Sequence, residues 1–579
     1  MTTRAPAERR ISTSVLVIGT GGSGLRAAIE LAEAGVDVIA VGKRQKADAH
    51  TSLAAGGINA ALGTMDADDS WQQHAADTLK ESYFLANPHT VQIVTEGAER
   101  GIEDLERYGM PFAREDDGRI SLRFFGAHKY RRTAFAGDYT GLEIQRTLVN
   151  RAAQLDIPIL DTVYITKILV KDNVVFGAYG FDLDDGTRYL IMADAVILAA
   201  GGHNRIWRRT SSRRDENTGD SFRLAVEAGG RLRDPELVQF HPSGIIEPQN
   251  AAGTLISEAA RGEGGILRNA LGERFMAKYD PERMELSTRD RVALACYTEI
   301  KEGRGTPAGG VWLDVSHLPR ETIMRRLPRV YQTMLELQMV DITTTPIEIA
   351  PTAHYSMGGV WVRPEDHGTD VDGLYAIGEA SSGLHGANRL GGNSLIELLV
   401  FGRIVGQAAA DYSAGLEAQV RSAEAITTAR REIDDLLASD GEENVRALPR
   451  AIRNTMTEHA GVVRDEEGLI AGLAELDLID ERMQHIGVHP DVAGFHDLAH
   501  AFDLKSSSLA ARATLQAALE RRETRGCHNR SDYPDIDPEL QVNLVWSADG
   551  SIARESIPPI PDDIARLIEE VSLEGKLVE

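Results

Sequence analysis

The stretch "SVLVIGTGGSGLRAAIELAEAGVDVIAV", residues 14–41, joins a short apolar strand to an amphipathic helix through a glycine-rich turn, and a second apolar strand follows. Its glycines have the spacing G-x-G-x-x-G, which in a strand–turn–helix context lets a pyrophosphate approach the helix N-terminus. The stretch predicts a Rossmann-like dinucleotide-binding unit; a glycine-rich turn without a ligand is the alternative. The expected contact residues in the turn are Gly19, Gly21, Gly22, Ser23 and Gly24.

One feature of NAD-binding units is missing. In such units an acidic residue near the end of the second strand, about 20 residues after the glycines, holds a ribose. Here that place reads Gly42-Lys43-Arg44. NAD is therefore disfavoured as the dinucleotide.

Two later strand ends are also glycine-rich, "ILAAGG" at 197–202 and "YAIGEASSG" at 375–383. Their separation along the chain predicts one cofactor domain that is interrupted by an insertion. The predicted fold is α/β: a Rossmann-like domain interrupted by an α+β capping domain, then a helical domain and a small C-terminal domain. The predicted boundaries are 1–245 and 352–412 for the cofactor domain, 246–351 for the cap, 413–529 for the helical domain and 530–579 for the C-terminal domain.

Composition excludes several classes of function. The 579 residues carry a net charge of −26, which disfavours a nucleic-acid partner. The only cysteines, Cys296 and Cys527, are far apart, so no disulfide, metal or iron–sulfur site is expected within the chain. The sequence has no signal-peptide pattern at its start and no apolar run long enough to span a membrane. A basic run, "RIWRRTSSRR" at 205–214, is either a solvated surface or a partner-facing one.

A series of motifs along residues 14–545 resembles the flavoprotein subunit of succinate dehydrogenase and fumarate reductase. The motifs are "HTSLAAGGINAALG", "DSWQQHAADTLKES", "QFHPSG", "SEAARGEGG", "TRDRVA", "TAHYSMGGV", "GLYAIGEASSGLHGANRLGGNSLIELLVFGR" and "TRGCHNRSDYPD". The resemblance implies FAD as cofactor, succinate and fumarate as substrates, and electron transfer to a separate iron–sulfur subunit. It also implies peripheral attachment to the cytoplasmic face of the cell membrane through that partner, with anchor subunits and quinone beyond it.

Two positions decide between this family and the related L-aspartate oxidases. His50 matches the histidine that is bonded covalently to the flavin in respiratory members and that aspartate oxidases generally lack; an ordinary polar loop residue is the alternative. Phe125 matches a phenylalanine that packs on the dicarboxylate, where aspartate oxidases place a glutamate for the substrate ammonium; a core residue is the alternative. Nearby, Ala55 and Ala127 replace a glutamine and a glycine that are common in the family.

The resemblance also assigns the remaining site residues. It implies that Arg289 transfers a proton, with Glu258 and Arg261 as a relay. Carboxylate binding falls to His241, Ser257 (where threonine is more usual), His354 and Arg389. Cofactor contacts are expected at Lys43, Thr51, Gly56, Gly57, Ala200, Gly201, Gly202, Asp220, Glu379, Asn393, Ser394 and Leu395, with Lys43 at the adenosine end and Glu379 at a ribose hydroxyl. L-Aspartate oxidase and a non-catalytic flavin-binding scaffold or assembly protein are the alternative functions.

Overall fold

A computed structural model describes residues 7–574 of the protein. Residues 1–6 of the predicted first domain and 575–579 of the predicted last domain lie outside it. Within 7–574, no helix has the length and apolar character needed to cross a membrane.

A seven-stranded sheet forms the centre of the cofactor domain. Strand Glu8–Ile18 pairs in parallel with Val38–Val41 on one side and with Arg188–Leu198 on the other. Leu374–Ala376 also pairs in parallel with Arg188–Leu198, so the two parts of the interrupted domain meet in one sheet. This architecture confirms the α/β class. The outer strands of the sheet are Ile159–Leu160, Val163–Lys171 and Val174–Asp182.

The insertion has an antiparallel sheet and an apolar core of its own. Its strands are Val238–Ile245, Ile347–Ser356, Val311–Asp314 and Ile266–Arg268, in that order across the sheet. The core of this unit is built from residues between Ile245 and Ile349. The first and last chain segments of the cap are therefore paired strands, which carry side chains from the cap directly to the cofactor domain.

The C-terminal part of the chain packs on the cofactor domain. Its helices are Ala423–Leu437, Leu448–His459, Glu466–Met483 and His496–Glu520. Their apolar side chains share one core with a face of the central sheet. Beyond them, strand Val542–Trp546 pairs with both Leu232–Arg233 and Ile552–Ser556. Residues after 530 thus complete a sheet that begins in the cofactor domain.

The remaining elements connect these units. The other helices are Gly22–Glu33, Trp71–Glu81, Pro88–Arg107, Thr140–Gln154, Asp220–Ala228, Ala259–Gly262, Met276–Tyr279, Arg289–Glu299, Arg320–Arg326, Pro328–Gln338, Asn393–Gly415 and Asp562–Glu574. Short 3-10 segments are His50–Leu53, Asn204–Ile206, Met284–Leu286, Gly378–Ala380 and Pro538–Leu540, and Ile300–Arg304 is a π-helical turn. The other strands are Ile58–Asn59, Leu122–Arg123, Thr133–Ala134, Gly359–Val360, Glu443–Asn444, Val463–Arg464, Ile486–Gly487 and Asn529–Arg530.

Candidate active site

The glycine-rich turn opens the N-terminus of helix Gly22–Glu33 towards a large cavity. The Gly22 N–H donates to Thr51 Oγ1 at 3.0 Å, and the N-cap residue Gly21 has no side chain to cap the N–H groups that follow, so those are available to an anion. Gly19 has φ of +119°, and a Cβ there would lie 2.1 Å from the Ala199 carbonyl oxygen. Only glycine therefore allows the turn to lie against the neighbouring strand end.

The cavity has a volume of about 1560 Å³ and runs from this turn to the cap. That is larger than the 300–1,000 Å³ typical of small-molecule sites, and it fits a dinucleotide together with a small substrate. Most of the predicted site residues line it, namely Gly19, Gly21, Gly22, Ser23, Lys43, His50, Thr51, Gly56, Gly57, Phe125, Ala200, Gly201, Asp220, His241, Ser257, Glu258, Arg289, His354, Glu379, Arg389, Ser394 and Leu395.

Four predicted site residues lie behind the cavity wall instead. A Cβ on Gly24 would meet the Gly19 carbonyl oxygen at 2.0 Å, and one on Gly202 would meet Ser356 Oγ at 2.2 Å. Both glycines therefore allow close backbone packing. The Asn393 side chain is bonded to its buried polar neighbours Asn59, His74 and Thr78. Arg261 is buried and donates to the Glu285 carbonyl at 2.6 Å.

Two predicted cofactor contacts, Lys43 and Asp220, are ion-paired with each other. Lys43 Nζ lies 2.7 Å from Asp220 and 3.3 Å from Asp503. Burial by itself would raise the pKa of Asp220, but Lys43 outweighs it and holds the pKa at about 2. The Tyr164 hydroxyl donates to both carboxylates. The Lys43–Asp220 pair therefore leaves little net charge at this part of the cavity wall. Asp503 was not predicted as a partner of Lys43, because it lies on a distant helix.

Glu379, predicted at a ribose hydroxyl, accepts hydrogen bonds from protein groups. Its carboxylate accepts hydrogen bonds from Asn204 at 2.5 Å and from the Ser356 backbone N–H at 3.0 Å. Burial raises the pKa of Glu379, although His50 favours its charged form. The side chain is thus already held by protein donors, on the same part of the wall as His50.

Arg389 is a buried cation with no carboxylate in hydrogen-bonding or ion-pairing contact among the described residues. Its two terminal nitrogens donate to neutral groups, Ser394 Oγ at 3.1 Å and Gln239 Oε1 at 2.9 Å, while Nε is buried with no partner among the described residues. The guanidinium also lies 4.4 Å from the centre of the Tyr355 ring. Burial, reinforced by Arg289, lowers the pKa of Arg389 to about 10. Such an uncompensated charge favours an anion in the cavity.

Two histidines of the cap strands face the same region. His241 and His354 have ring centroids 5.4 Å apart and planes at 76°. The Ser243 backbone N–H donates to His241 Nδ1 at 3.2 Å, which places the proton of the neutral ring on Nε2. Burial, together with nearby arginines, lowers the pKa of both rings well below the usual value. Both are therefore neutral hydrogen-bonding groups at neutral pH.

Arg289, at the start of helix Arg289–Glu299, forms an ion pair with Glu258 within the cap. Arg289 Nε donates to Glu258 Oε2 at 2.9 Å, and Arg261 Nη2 lies 3.8 Å from the same oxygen. Burial would raise the pKa of Glu258, but the two guanidinium groups outweigh it and hold the pKa at about 2. A Cβ on Gly391 would lie 3.3 Å from Arg289 Nη2, so that glycine leaves room for the guanidinium. Arg289 is thus hydrogen-bonded to Glu258, whereas Arg261 Nη2 has no hydrogen-bond partner among the described residues.

Phe125 lies beside these charges, since a Cβ on Gly391 would lie 3.2 Å from its ring and 3.3 Å from Arg289 Nη2. A Cβ on Gly56 would lie 3.0 Å from its ring, so the small residue allows the ring to lie against the 56–57 loop. No acidic group occupies this place, and the ring is half-buried at the cavity surface. The Ser257 hydroxyl accepts from the Ala259 backbone N–H at 3.3 Å, which leaves its own proton free to donate.

Comparisons with known proteins agree with this geometry. The sequence matches the FAD binding domain family over residues 14–395 and the Fumarate reductase flavoprotein C-term family over residues 449–556. The chain belongs to the succinate dehydrogenase and fumarate reductase flavoproteins. Members of this family are oxidoreductases with FAD, and residues 14–395 include the whole glycine-rich turn and Arg389.

Individual members of the family match nearly the full length. A subunit of the CoM/CoB fumarate reductase of Methanothermobacter marburgensis is 41% identical, with 92% of this chain and 96% of that protein covered. The succinate dehydrogenase flavoprotein subunit of Rickettsia bellii is 37% identical, with 96% of each chain covered. Among solved structures, Mycobacterium smegmatis Sdh1 in complex with UQ1 has a TM-score of 0.89 at 37% identity, with 98% of both chains covered.

Within this flavoprotein, the basic run at 205–214 lies at the cavity rim beside helix Leu448–His459. Arg213 pairs with Asp48. Arg205 has a buried Nε with no partner among the described residues. Burial, and then Arg205 and Arg450, lower the pKa of Arg453 to about 10. In the folded chain the run therefore forms one basic patch with arginines of the helical segment, although more than two hundred positions separate the two groups in the sequence.

Proposed function

We propose that this flavoprotein interconverts succinate and fumarate and passes the electrons first to a separate iron–sulfur subunit, then to quinone. The observation that carries the substrate class is Arg389, a buried guanidinium with no carboxylate partner in the described chain. His241 and His354 add neutral donors on the facing strands. A dicarboxylate fits these groups, because one carboxylate can bind the guanidinium while the other accepts hydrogen bonds from the histidines and Ser257.

In this proposal the chain's own residues orient the substrate and move the proton. The carboxylate-binding residues hold the substrate so that the reacting C–H bond points in one direction, which lowers the entropic part of the activation barrier. Arg289 lines the cavity and donates to Glu258, so in this proposal it donates a proton to the substrate carbon or accepts one from it. The low pKa of Glu258 keeps it ionised, so its carboxylate can accept the hydrogen bond from Arg289 Nε.

The residues around the glycine-rich turn fit FAD. The N-terminus of helix Gly22–Glu33 accommodates a pyrophosphate, and the cavity continues from there past Thr51, Gly56 and Gly57 to the charged groups. Bound FAD would supply the two-electron acceptor that these side chains lack. We propose that it is attached covalently through His50, whose ring lines the cavity.

Three measurements test the assignment. Succinate should reduce the bound flavin, malonate should compete with it, and L-aspartate should be a poor substrate because Phe125 offers nothing to an ammonium group. Faster reduction by L-aspartate than by succinate would assign the chain to the aspartate oxidases. Failure of both to reduce a fully loaded flavin would favour the scaffold alternative.

A second experiment tests the covalent bond. Acid-precipitated protein should retain yellow colour and in-gel flavin fluorescence, and His50→Ser should release its FAD on the same treatment. Complete recovery of the flavin in the supernatant of the unchanged protein would contradict the attachment.

The arginine patch supports an acidic electron partner, and we propose that this partner holds the flavoprotein at the cytoplasmic face of the membrane. Reversing charge at the patch, as in Arg208→Glu with Arg450→Glu, should abolish co-purification of an iron–sulfur subunit while succinate still reduces the flavin. Arg10→Glu is a matched control, because its side chain is 72% exposed on the first strand. Native mass spectrometry of the purified complex measures the outcome; equal partner recovery from both variants would contradict docking at the patch.

A further inference from the structure

The imidazole of His50 is held by a carboxylate that no sequence motif predicted. His50 Nδ1 lies 2.7 Å from Glu216 Oε1, and the same oxygen accepts the Arg213 backbone N–H at 2.8 Å. Glu216 is only 8% exposed, whereas the His50 side chain remains 27% exposed on the cavity side. The two residues come from separate loops that meet only in the folded chain.

This contact fixes the tautomer of the ring. An ionised carboxylate is acceptor-only, so Nδ1 must carry a proton and Nε2 has the free lone pair of the neutral ring. Burial would raise the pKa of Glu216, but His50 outweighs it and the pKa is about 2. No hydrogen-bond partner of Nε2 occurs among residues 7–574.

The charged groups around the His50 ring shift its pKa in opposite directions. Burial lowers the pKa of His50, and Arg213 lowers it further, but Glu216 and Glu379 outweigh both, so the pKa is raised. His354, on the other side, is neutral because its own pKa is well below the usual value. The carboxylates thus make Nε2 a stronger base than in a free imidazole.

We propose that Glu216 is the positioning residue for attachment of FAD: it holds the proton on His50 Nδ1 and leaves Nε2 as the nucleophile towards the flavin 8α carbon. This inference rests on the covalent cofactor proposed above. Analogous hydrogen bonds orient histidine ligands at metal sites.

The balance of the reaction gives Glu216 a second task. The new bond from Nε2 to carbon replaces one C–H bond of the methyl group, and that proton leaves to solvent. Two electrons remain on the flavin ring and must pass to an oxidant, either fumarate or dioxygen. The alkylated ring keeps its Nδ1 proton and is therefore a cation, which the Glu216 carboxylate neutralises.

The test compares Glu216→Gln and Glu216→Asp in the full chain. Acid-stable flavin is measured over time after FAD is added to cofactor-free protein, at a series of pH values, with non-covalent FAD measured in parallel. At pH values above the midpoint Glu216→Gln should slow attachment severalfold, because Nε2 becomes a weaker base, and the pH midpoint should move down by the amount by which the pKa of His50 falls. Glu216→Asp should recover part of the rate because it keeps the charge.

Asp215→Asn is the matched control: Asp215 is the neighbouring acid in the same loop, but it faces Arg44 at 3.6 Å. This variant should attach flavin as the unchanged protein does. Attachment by Glu216→Gln at the unchanged rate, or slower attachment with an unmoved pH midpoint, would overturn the inference. An unchanged protein that binds FAD but never makes it acid-stable would instead overturn the covalent cofactor itself.

Discussion

Replacing Arg389 by methionine should separate binding from stability in this flavoprotein. The lowering of its pKa to about 10 corresponds to about 3 kcal/mol by which burial, reinforced by Arg289, disfavours its charge. The bonds to Gln239 and Ser394 return about 1 kcal/mol each. Arg389→Met should therefore leave the free energy of unfolding within about 1–2 kcal/mol of the unchanged protein, measured without a dicarboxylate.

Binding should respond in the opposite way. Arg389→Met removes a charge-assisted contact to the substrate, which we expect to weaken malonate binding by about 2–4 kcal/mol, or about 30- to 1,000-fold in Kd. Calorimetric titration of the FAD-loaded protein with malonate gives the Kd, and thermal unfolding gives the change in Tm.

The control is an equally buried arginine that is paired. Arg26 lies 2.8 Å from Asp104 and 2.9 Å from Glu30. Arg26→Met leaves Asp104 with weaker partners and should lower the free energy of unfolding by about 3 kcal/mol, with malonate affinity little changed. One outcome would contradict this role for Arg389. If Arg389→Met lowers the free energy of unfolding as much as Arg26→Met, and its Kd for malonate stays within threefold of that of the unchanged protein, Arg389 has a structural role and the substrate carboxylates bind elsewhere.

Three further predictions concern the chemistry. Arg289→Lys keeps the charge but loses the reach to Glu258, so stopped-flow turnover should fall by about 100-fold or more while malonate still shifts the flavin spectrum; normal turnover at saturation would move the proton role to another residue. Phe125→Glu should raise kcat/KM for L-aspartate relative to succinate at least tenfold, and Phe125→Leu should not; equal ratios would remove Phe125 from substrate choice. Because the folded-state pKa of Glu258 is lowered to about 2 from 4.5, its contribution to stability is complete above pH 4.5 and is lost as the pH falls towards 2. Glu258→Gln should therefore flatten the decline of Tm over that range, and a parallel decline in both proteins would contradict the ion pair.

Residue order alone was enough to predict the class of the fold and the general nature of the site. The glycine spacing at 19–24 could be recognised in the sequence because the backbone at Gly19 lies so close to the neighbouring strand end that no Cβ fits there. The motifs carrying His241, Arg289 and Arg389 were recognisable from local residue order, and the structure brings all three to one cavity.

What each charge does became visible only in the folded chain. Lys43 and Asp220 are neighbours in space although 177 positions apart, so the two predicted cofactor contacts form an ion pair with each other. The Asn393 side chain belongs to a buried polar network, and Glu216 contacts His50 although the two residues are 166 positions apart. Electrostatic interactions depend on distance and burial, and neither can be read from residue order. Arg389 is the clearest case: its residue type was visible in the sequence, but among the described residues it has no compensating carboxylate, and this tertiary feature is what makes it an anion site.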